Sequence, residues 1–274
     1  MSTFSVTKHH GLGNDFLVLF ADHDTIDAAA LARRWCDRRR GVGADGLLVG
    51  DRAEGATARM FVYNADGSRA EMSGNGIRCF AQAISRERGD PGRPDLRAQR
   101  IVTDAGERAV ALRGTEDPAT ITAAVDMGAV EQLAEPQGWQ DLGVHPDRPV
   151  AHLGLGNPHS VVCVHDVTTI DLAVLGAKVE GVNLEIVSPG PESDAITMRV
   201  HERGAGITEA CGTGACAAAW AARSWGLVAP DVAELVVHMD GGSARVGIDQ
   251  TAPDRVTLSG PATYVATIEL PGPR

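Results

Sequence analysis

Lysine is scarce in this sequence: only Lys8 and Lys178 occur, and arginine supplies almost all of the positive charge. The formal net charge is −11 at pH 7, and the one basic cluster is Arg38–Arg40. This cluster follows a helix-like segment, so we expect it to cap the C-terminal end of that helix rather than to bind nucleic acid. So few lysines also leave few candidates for a Schiff base with pyridoxal phosphate.

Long apolar runs are missing too. No stretch approaches the roughly 20 apolar residues that a transmembrane helix needs, and the polar residues 1–10 lack the apolar core of a secretory signal. The five cysteines include no Cys-X-X-Cys pair and no Cys/His cluster with zinc spacing. We therefore expect a cytoplasmic protein with reduced thiols, no membrane partner and no metal centre.

The chain is long enough for two domains and has ample apolar surface, with 274 residues of which 43% are hydrophobic. Short apolar or β-branched segments between Gly, Pro and Asp turns predict strands at Phe16–Phe20, Thr57–Tyr63, Ser160–Val164, Ala195–His201 and Glu234–His238. Helices are predicted at Ile26–Asp37 and at the Ala-rich segments Asn75–Arg88 and Thr213–Trp225. The polar stretch Arg86–Gln99 is expected to be a surface loop.

An internal repeat organises these elements. The segment Ser73–Ala81 aligns with Cys211–Ala219, and Gly13–Asp15 aligns with Gly156–Pro158 at nearly the same separation. The repeat predicts two homologous halves, each a set of strands around one Ala-rich helix, with a cleft between them for a small ligand. We place the first lobe at residues 1–116 and the second at residues 117–261.

Each half carries a junction of the form X-Gly-polar-Gly just before its Ala-rich helix. Glycines let a ligand approach the backbone closely, and the free N–H groups and the dipole of a helix N-terminus attract an anion. One such junction alone is more often an ordinary glycine turn. Two repeated copies, each led by a nucleophile-type side chain, favour a carboxylate-binding site.

The two leading side chains are Ser73 and Cys211. A helix N-terminus lowers the pKa of a thiol, so we expect Cys211 to be a thiolate near neutral pH and a competent general base. Inversion at a carbon needs one proton-transfer group on each face, and two pseudo-symmetric lobes supply that arrangement. The carbanion would be stabilised through a carboxylate that the two helix N-termini hold.

Further polar residues lie in turns that a ligand could reach: Asn14, Asp15, Asn64, Asn157, His159, Asn183, Glu202 and Arg203. Any single Asn or Asp among them is more simply explained as a turn former. Arg203 is different, because a planar guanidinium beside a glycine turn suits a bidentate grip on a carboxylate.

Six blocks together resemble the signature of the diaminopimelate epimerase family, in the right order and across essentially the whole chain. They are His10–Phe16, Asn64–Ser68, Gly74–Cys79, Gly156–His159, Glu202–Gly206 and Ala210–Cys216. The resemblance implies an α/β (α+β) protein of two pseudo-symmetric lobes, each a curled, mostly antiparallel sheet or barrel around a central helix, with the active site in the cleft. Residues 262–274 would return to the first lobe. The implied reaction interconverts LL- and meso-diaminopimelate, for lysine and peptidoglycan synthesis, without pyridoxal phosphate or any other cofactor.

The resemblance also carries roles to particular positions. Ser73 and Cys211 match the two catalytic positions, and His159 and Glu202 match polar neighbours of the catalytic pair. The distal amino-acid end of the substrate would be bound by Asn14, Asn64, Asn157, Asn183, Glu202 and Arg203. The cradle around the reacting carboxylate would be formed by Gly74, Asn75, Gly212 and Thr213. The expected partner is therefore a small-molecule substrate, and a homodimer stays open as the assembly.

Ser73 departs from the family pattern, which has a cysteine there. A serine hydroxyl is a far weaker acid than a thiol, and each pKa unit corresponds to about 1.36 kcal/mol between protonation states. Three explanations are open: an engineered Cys→Ser change, a natural variant with an activated serine, or a move to another substrate or reaction. Cys79 does not replace the thiol, because it lies more than one turn beyond the start of its helix. At Gly46 some family members carry a polar side chain, and we assign no contact there.

Two alternative functions follow from these observations. A related cofactor-independent racemase or dehydratase, acting on histidine or a proline derivative, would share the fold. The distal set of Asn64, Asn157, Asn183 and Arg203 argues against it, because that set suits a substrate with a second amino-acid head. An inactive relative that binds diaminopimelate without turning it over would show the loss of one acid/base group.

Overall fold

The computed structural model describes residues 3–89 and 98–272. The chain divides into two compact units, Met1–Val125 with Gly260–Arg274, and Asp126–Ser259. This division falls within a strand, whereas the sequence places it near residue 116. Most of the stretch predicted to be a surface loop lies outside the described residues. Within the described part of the chain, no helix is both long and apolar enough to cross a bilayer.

The first unit contains eight strands and two α-helices, with a 3-10 turn at His23–Thr25. In chain order they are β1 (Thr3–Gly11), β2 (Asn14–Phe20), α1 (Ala28–Trp35), β3 (Gly46–Asp51), β4 (Ala58–Asn64), β5 (Arg69–Ala70), α2 (Gly74–Glu87), β6 (Gln99–Thr103), β7 (Gly106–Gly114) and β8 (Thr120–Ala129). The last of these, β8, runs on into the second unit.

The second unit repeats this order, with 3-10 turns at Trp139–Leu142 and Val167–Thr169. Its elements are β9 (Glu131–Gln132), β10 (Val150–Gly154), β11 (Pro158–Cys163), α3 (Leu172–Gly176), β12 (Asn183–Pro189), β13 (Ala195–Glu202), β14 (Gly206–Thr208), α4 (Gly212–Ser224), β15 (Glu234–Met239), β16 (Gly242–Ile248) and β17 (Arg255–Pro271). The end of β17 belongs to the first unit, where it pairs with β1.

Each unit is a closed barrel. In the first, the pairing order is β1-β2-β3-β4-β6-β7-β8-β17 and back to β1, parallel only at β2–β3 and β4–β6 among the pairs whose direction is resolved. In the second, the order is β9-β10-β11-β12-β13-β15-β16-β17-β8, with parallel pairs at the two corresponding positions, β11–β12 and β13–β15. β8 continues into β9, which closes the ring. The identical order confirms the internal repeat.

One helix fills each barrel. α2 packs against β1, β2, β3, β4 and β7, while α4 packs against β10, β11, β12, β13, β15 and β16. Small side chains suit this position, because the interior of an eight-stranded barrel is narrow. Ala217, Ala218 and Ala219 of α4 are fully buried, as are Ile77 and Phe80 of α2. This confirms the prediction of strands around an Ala-rich helix in each half.

The strands beside each central helix are buried on both faces. β3 and β12 are buried over almost their whole length, because helix α1 or α3 covers the outer face while α2 or α4 covers the inner one. Leu47 and Val49 of β3, for example, pack outward against Leu31 and Trp35 of α1. All five predicted strands and all three predicted helices are confirmed, with bounds that shift by a residue or two.

Candidate active site

The two helix N-termini have the same local structure. Ser73 is the N-cap of α2, and its Oγ accepts a hydrogen bond from the backbone N–H of Gly76 at 3.0 Å. Cys211 is the N-cap of α4, and its Sγ accepts from the N–H of Gly214 at 3.3 Å. The helices begin at Gly74 and Gly212, one residue before the predicted starts at Asn75 and Thr213. Each unit therefore places one hydroxyl or thiol at a helix N-terminus.

The predicted thiolate at Cys211 is wrong. Burial raises the pKa of the Cys211 thiol well above its ordinary value, and the nearby carboxylates of Glu202 and Glu185 raise it further. Hydrogen bonds from Thr213, whose Oγ1 lies 3.5 Å from Sγ, and from Gly214 lower it less. Desolvation and two acids thus outweigh the helix N-terminus. Cys211 is a neutral thiol at neutral pH, ready to donate a proton rather than to accept one.

A buried acid–imidazole pair lies beside Cys211. His159 of β11 places Nδ1 at 2.6 Å from Oε1 of Glu185 on β12, and both side chains are fully buried. The other ring nitrogen, Nε2, is 2.9 Å from Oδ1 of Asn157. Burial raises the pKa of Glu185, although the neighbouring imidazole acts in the opposite direction.

Glu185 is a residue that the sequence reasoning missed. It stands between Leu184 and Ile186, in a strand that is buried from Asn183 to Ser188. A lone carboxylate inside such a strand is the signal that could have found it, because charged residues are almost never fully buried without a partner.

Asn183, Glu202 and Arg203 come together at the same end of the second barrel. Oδ1 of Asn183 accepts from the backbone N–H of Arg203 at 2.8 Å, and Oε1 of Glu202 accepts from the hydroxyl of Thr208. Gly204 and Gly206 both have positive φ, which gives the tight turn that follows Arg203.

In the first unit, Asn14 and Asn75 are joined directly. Nδ2 of Asn75 donates to Oδ1 of Asn14 at 3.1 Å, and Nδ2 of Asn14 donates to Asp45 at 2.8 Å. The guanidinium of Arg78, which is fully buried, donates to Oδ1 of Asn75 at 2.7 Å and to the carbonyl of Gly74 at 3.2 Å. The cradle residues Gly74 and Asn75 are therefore held by an arginine on the next turn of their own helix.

Asn64 lies at the end of β4, and its described hydrogen bonds stay within its own turn. Its Nδ2 donates to Oγ of Ser68 at 2.9 Å, and its backbone N–H donates to the carbonyl of Ser68. Gly46, to which we assigned no contact, stands opposite Asn64 on β3. A Cβ at Gly46 would lie 2.6 Å from the carbonyl oxygen of Tyr63, so packing alone accounts for the glycine.

The basic cluster does not cap a helix. α1 ends at Trp35, before the cluster begins, and Arg38 instead lies 2.7 Å from both Asp15 and Asp45. Burial raises the pKa of Asp15, but its bonds to Arg38 and to Lys8 outweigh it and the net shift is downward. Lys8 is thus held in an ion pair at 2.8 Å from Asp15, and it donates to the carbonyl of Gly43. Lys178 is exposed.

Two homologous barrels, each wrapped around a helix whose N-cap is a serine or a cysteine, fit the class of amino-acid isomerases that work without pyridoxal phosphate. The family model described as diaminopimelate epimerase matches residues 6–133 and 152–265 of the chain. The chain therefore belongs to the diaminopimelate epimerase family, as the six sequence blocks imply.

Individual relatives agree with this assignment. The chain is 40% identical to a diaminopimelate epimerase of Magnetococcus marinus, over 97% of this chain and 96% of the relative. Among solved structures it resembles a phenazine biosynthesis protein of the PhzF family from Bacillus anthracis, with a TM-score of 0.72, 16% identity and coverage of 99% and 100% of the two chains. It also resembles a hydroxyproline epimerase from Agrobacterium vitis, with a TM-score of 0.69, 14% identity and coverage of 98% and 91%. At these identities the structures establish the fold alone.

Proposed function

We propose that this protein interconverts LL- and meso-diaminopimelate by moving the Cα proton between Ser73 and Cys211, for lysine and peptidoglycan synthesis. The observation that carries the proposal is the matched pair of helix N-caps, one in each homologous unit, each with its side-chain atom hydrogen-bonded to the helix. Inversion at a carbon requires one proton-transfer group for each face, and a duplicated unit supplies two.

The chemistry starts when one group removes the Cα proton and the electron pair moves into the substrate carboxylate. The other group then donates a proton to the opposite face. Negative charge develops on the carboxylate oxygens in between, so the N–H groups at the N-termini of α2 and α4 are suited to stabilise it. Gly74, Asn75, Gly212 and Thr213 supply this cradle.

Cys211 and Ser73 differ in how readily each donates or accepts a proton. Because Cys211 is protonated at neutral pH, it donates to a carbanion at once, but it must first lose its proton to act as a base. Conversion of the LL isomer needs Ser73, or a water that Ser73 positions, as base. Conversion of the meso isomer needs Cys211 as base. We therefore expect both net directions to be slow.

The distal amino-acid end is assigned to Asn14, Asn64, Asn157, Asn183, Glu202 and Arg203. Arg203 is the bidentate partner for the distal carboxylate. The reaction is proposed to run without pyridoxal phosphate. Lys8 is held in its ion pair with Asp15, and Lys178 follows a short surface helix, so neither is placed for a Schiff base.

The test follows two signals in heavy water with pure meso- or LL-diaminopimelate. Proton NMR measures the loss of the Cα–H signal, and polarimetry measures inversion. Exchange together with inversion is expected, and both should be slow, because neither Ser73 nor the protonated Cys211 is a ready base. Exchange without inversion would mean one working group. If calorimetry shows binding but neither exchange nor inversion occurs, the protein is a diaminopimelate-binding relative without catalytic activity. The serine at position 73 makes this the second candidate function.

A further inference from the structure

The hydrogen bonds of His159 determine how many protons it shares with Glu185. Oδ1 of Asn157 is an amide oxygen and only accepts, so Nε2 of His159 must carry a proton. The other nitrogen, Nδ1, shares a second proton with Oε1 of Glu185 across 2.6 Å. The pair then holds two protons, either as imidazolium with carboxylate or as neutral imidazole with carboxylic acid.

Burial also favours two protons on the pair of His159 and Glu185. Both side chains are fully buried, and Oε2 of Glu185 has no hydrogen-bond partner among the described residues. With two protons the pair is neutral overall. With one it would carry a net negative charge inside an apolar barrel, near the acid Glu202 and the thiol of Cys211, and such a charge is costly to bury.

The barrel does not need this polar pair in order to close. In the first unit, Phe16 and Leu48 occupy the positions of His159 and Glu185 in the repeat: Phe16 pairs with Gly46 as His159 pairs with Asn183. A Cβ on Gly76 would lie 3.3 Å from Cδ2 of Leu48, and a Cβ on Gly214 would lie 2.6 Å from Oε1 of Glu185. An apolar pair thus fills the same space beneath α2. The polar pair beneath α4 must serve another purpose.

That purpose is visible at Asn157. His159 uses the amide oxygen of Asn157, so the amide N–H groups are the ones left to donate to a bound group. The repeat partner of Asn157 is Asn14, whose oxygen is likewise taken up, by Nδ2 of Asn75. The repeated asparagine thus has its oxygen engaged in both units, but Nδ2 of Asn14 already donates to Asp45. The amide N–H groups of Asn157 suit a carboxylate and not an ammonium group.

We propose that Glu185 is a positioning residue: the two protons it shares with His159 fix an Nε2–H group, which orients the amide of Asn157 as a donor to the distal carboxylate of the substrate. If the pair lost one proton, Nε2 would become an acceptor and the amide would turn its oxygen toward the ligand. This inference rests on the proposed function, because that function assigns Asn157 to the substrate.

The first arm of the test needs no variant and no substrate. Nitrogen-15 NMR of histidine-labelled protein reports which ring nitrogens carry protons, and the His159 signals are those missing from the His159→Phe, Glu185→Leu double variant. Nε2 of His159 should be protonated at pH 7. A bare Nε2 would overturn the proposal whatever the protein's activity.

The second arm compares two ligands by calorimetry. Lysine is diaminopimelate without the second carboxylate, so the ratio of the two affinities isolates the contacts to that group. The Glu185→Leu variant has leucine at this position, as the first unit has at Leu48. It should reduce the preference for diaminopimelate over lysine about tenfold or more. That is the loss expected for one hydrogen bond to a charged group. The affinity for lysine should change little.

The outcomes separate this proposal from the function it rests on. Equal weakening of both ligands, or no change in either, would overturn the positioning role. Failure of the unmodified protein to bind diaminopimelate would overturn the proposed function, and the NMR arm would then judge the protonation of His159 alone. The double variant reproduces the apolar pair of the first unit, so it should fold with native circular dichroism but share the loss of preference. A double variant with full preference would refute the proposal.

Discussion

At the scale of single residues, we expect Ser73 to limit the rate of epimerisation. Ser73→Cys should raise epimerisation by about 10²–10⁴-fold, the usual contribution of a general acid/base group, because the thiol ionises far more easily than the hydroxyl at the same N-cap. The rate is measured by polarimetry with each pure isomer.

Two cysteine variants control that experiment. Cys211→Ser should abolish epimerisation in either background, whereas Cys216→Ala, a buried position on the same helix, should leave it unchanged. Full-speed epimerisation by the unmodified protein, with no gain from Ser73→Cys, would mean that the first acid/base group lies elsewhere.

The second prediction at this scale concerns Arg203. Arg203→Lys keeps the charge but loses the planar fork, so diaminopimelate should bind more weakly, and Arg203→Ala should cost more, about 2–5 kcal/mol. Calorimetry measures both. Arg199 lies on β13, the strand that ends just before Arg203, and pairs with Asp240 at 3.0 Å, so Arg199→Ala is the matched control and should bind normally. Unchanged affinity in Arg203→Ala would leave that arginine a purely structural role.

At the scale of elements, the start of α4 has no spare room. A Cβ on Gly214 would lie 2.6 Å from Oε1 of Glu185 and 3.2 Å from Sγ of Cys211. Gly214→Ala should therefore displace both groups, with a loss of about 1–3 kcal/mol in the free energy of unfolding and a fall in Cα–H exchange.

A second glycine supplies the comparison for that variant. At Gly247 of β16 the nearest atom to a new Cβ is 3.8 Å away, so Gly247→Ala should change the free energy of unfolding by less than about 0.5 kcal/mol. Urea denaturation measures both variants. Equal stability and equal exchange in the two would show that the junction tolerates a side chain.

The elements also show what the sequence could and could not predict. The two Ala-rich helices were predictable, because each follows a Gly-polar-Gly turn led by an N-cap residue. β1 and the end of β17 were not, because their alternation is short and each finds a strand partner at the far end of the chain. The pKa of Cys211 was mispredicted for a related reason. The helix N-terminus is local in sequence, whereas Glu185 reaches the thiol only through the fold.

At the scale of the whole molecule, duplication explains both the success and the misses of prediction. The repeated motifs indicated two equivalent units, and the structure confirms the same order of elements in each. The repeat could not show where the units diverged, since Phe16 and His159 share a strand position but no chemistry. At another pair of equivalent positions the first unit has Leu48 and the second has Glu185. These two differences give the second unit its buried polar pair.

The path of β17 bears on the order in which a ribosome can complete the two barrels. The second unit is one uninterrupted segment, Asp126–Ser259, so it needs no residue beyond Ser259 to close. β1 precedes the other described strands, yet Thr3 pairs with Pro271, so the edge of β1 that does not face β2 stays open until the end of β17 has been made. The barrel begun first is thus finished last, the reverse of the usual N-terminal-first order of domain folding during synthesis.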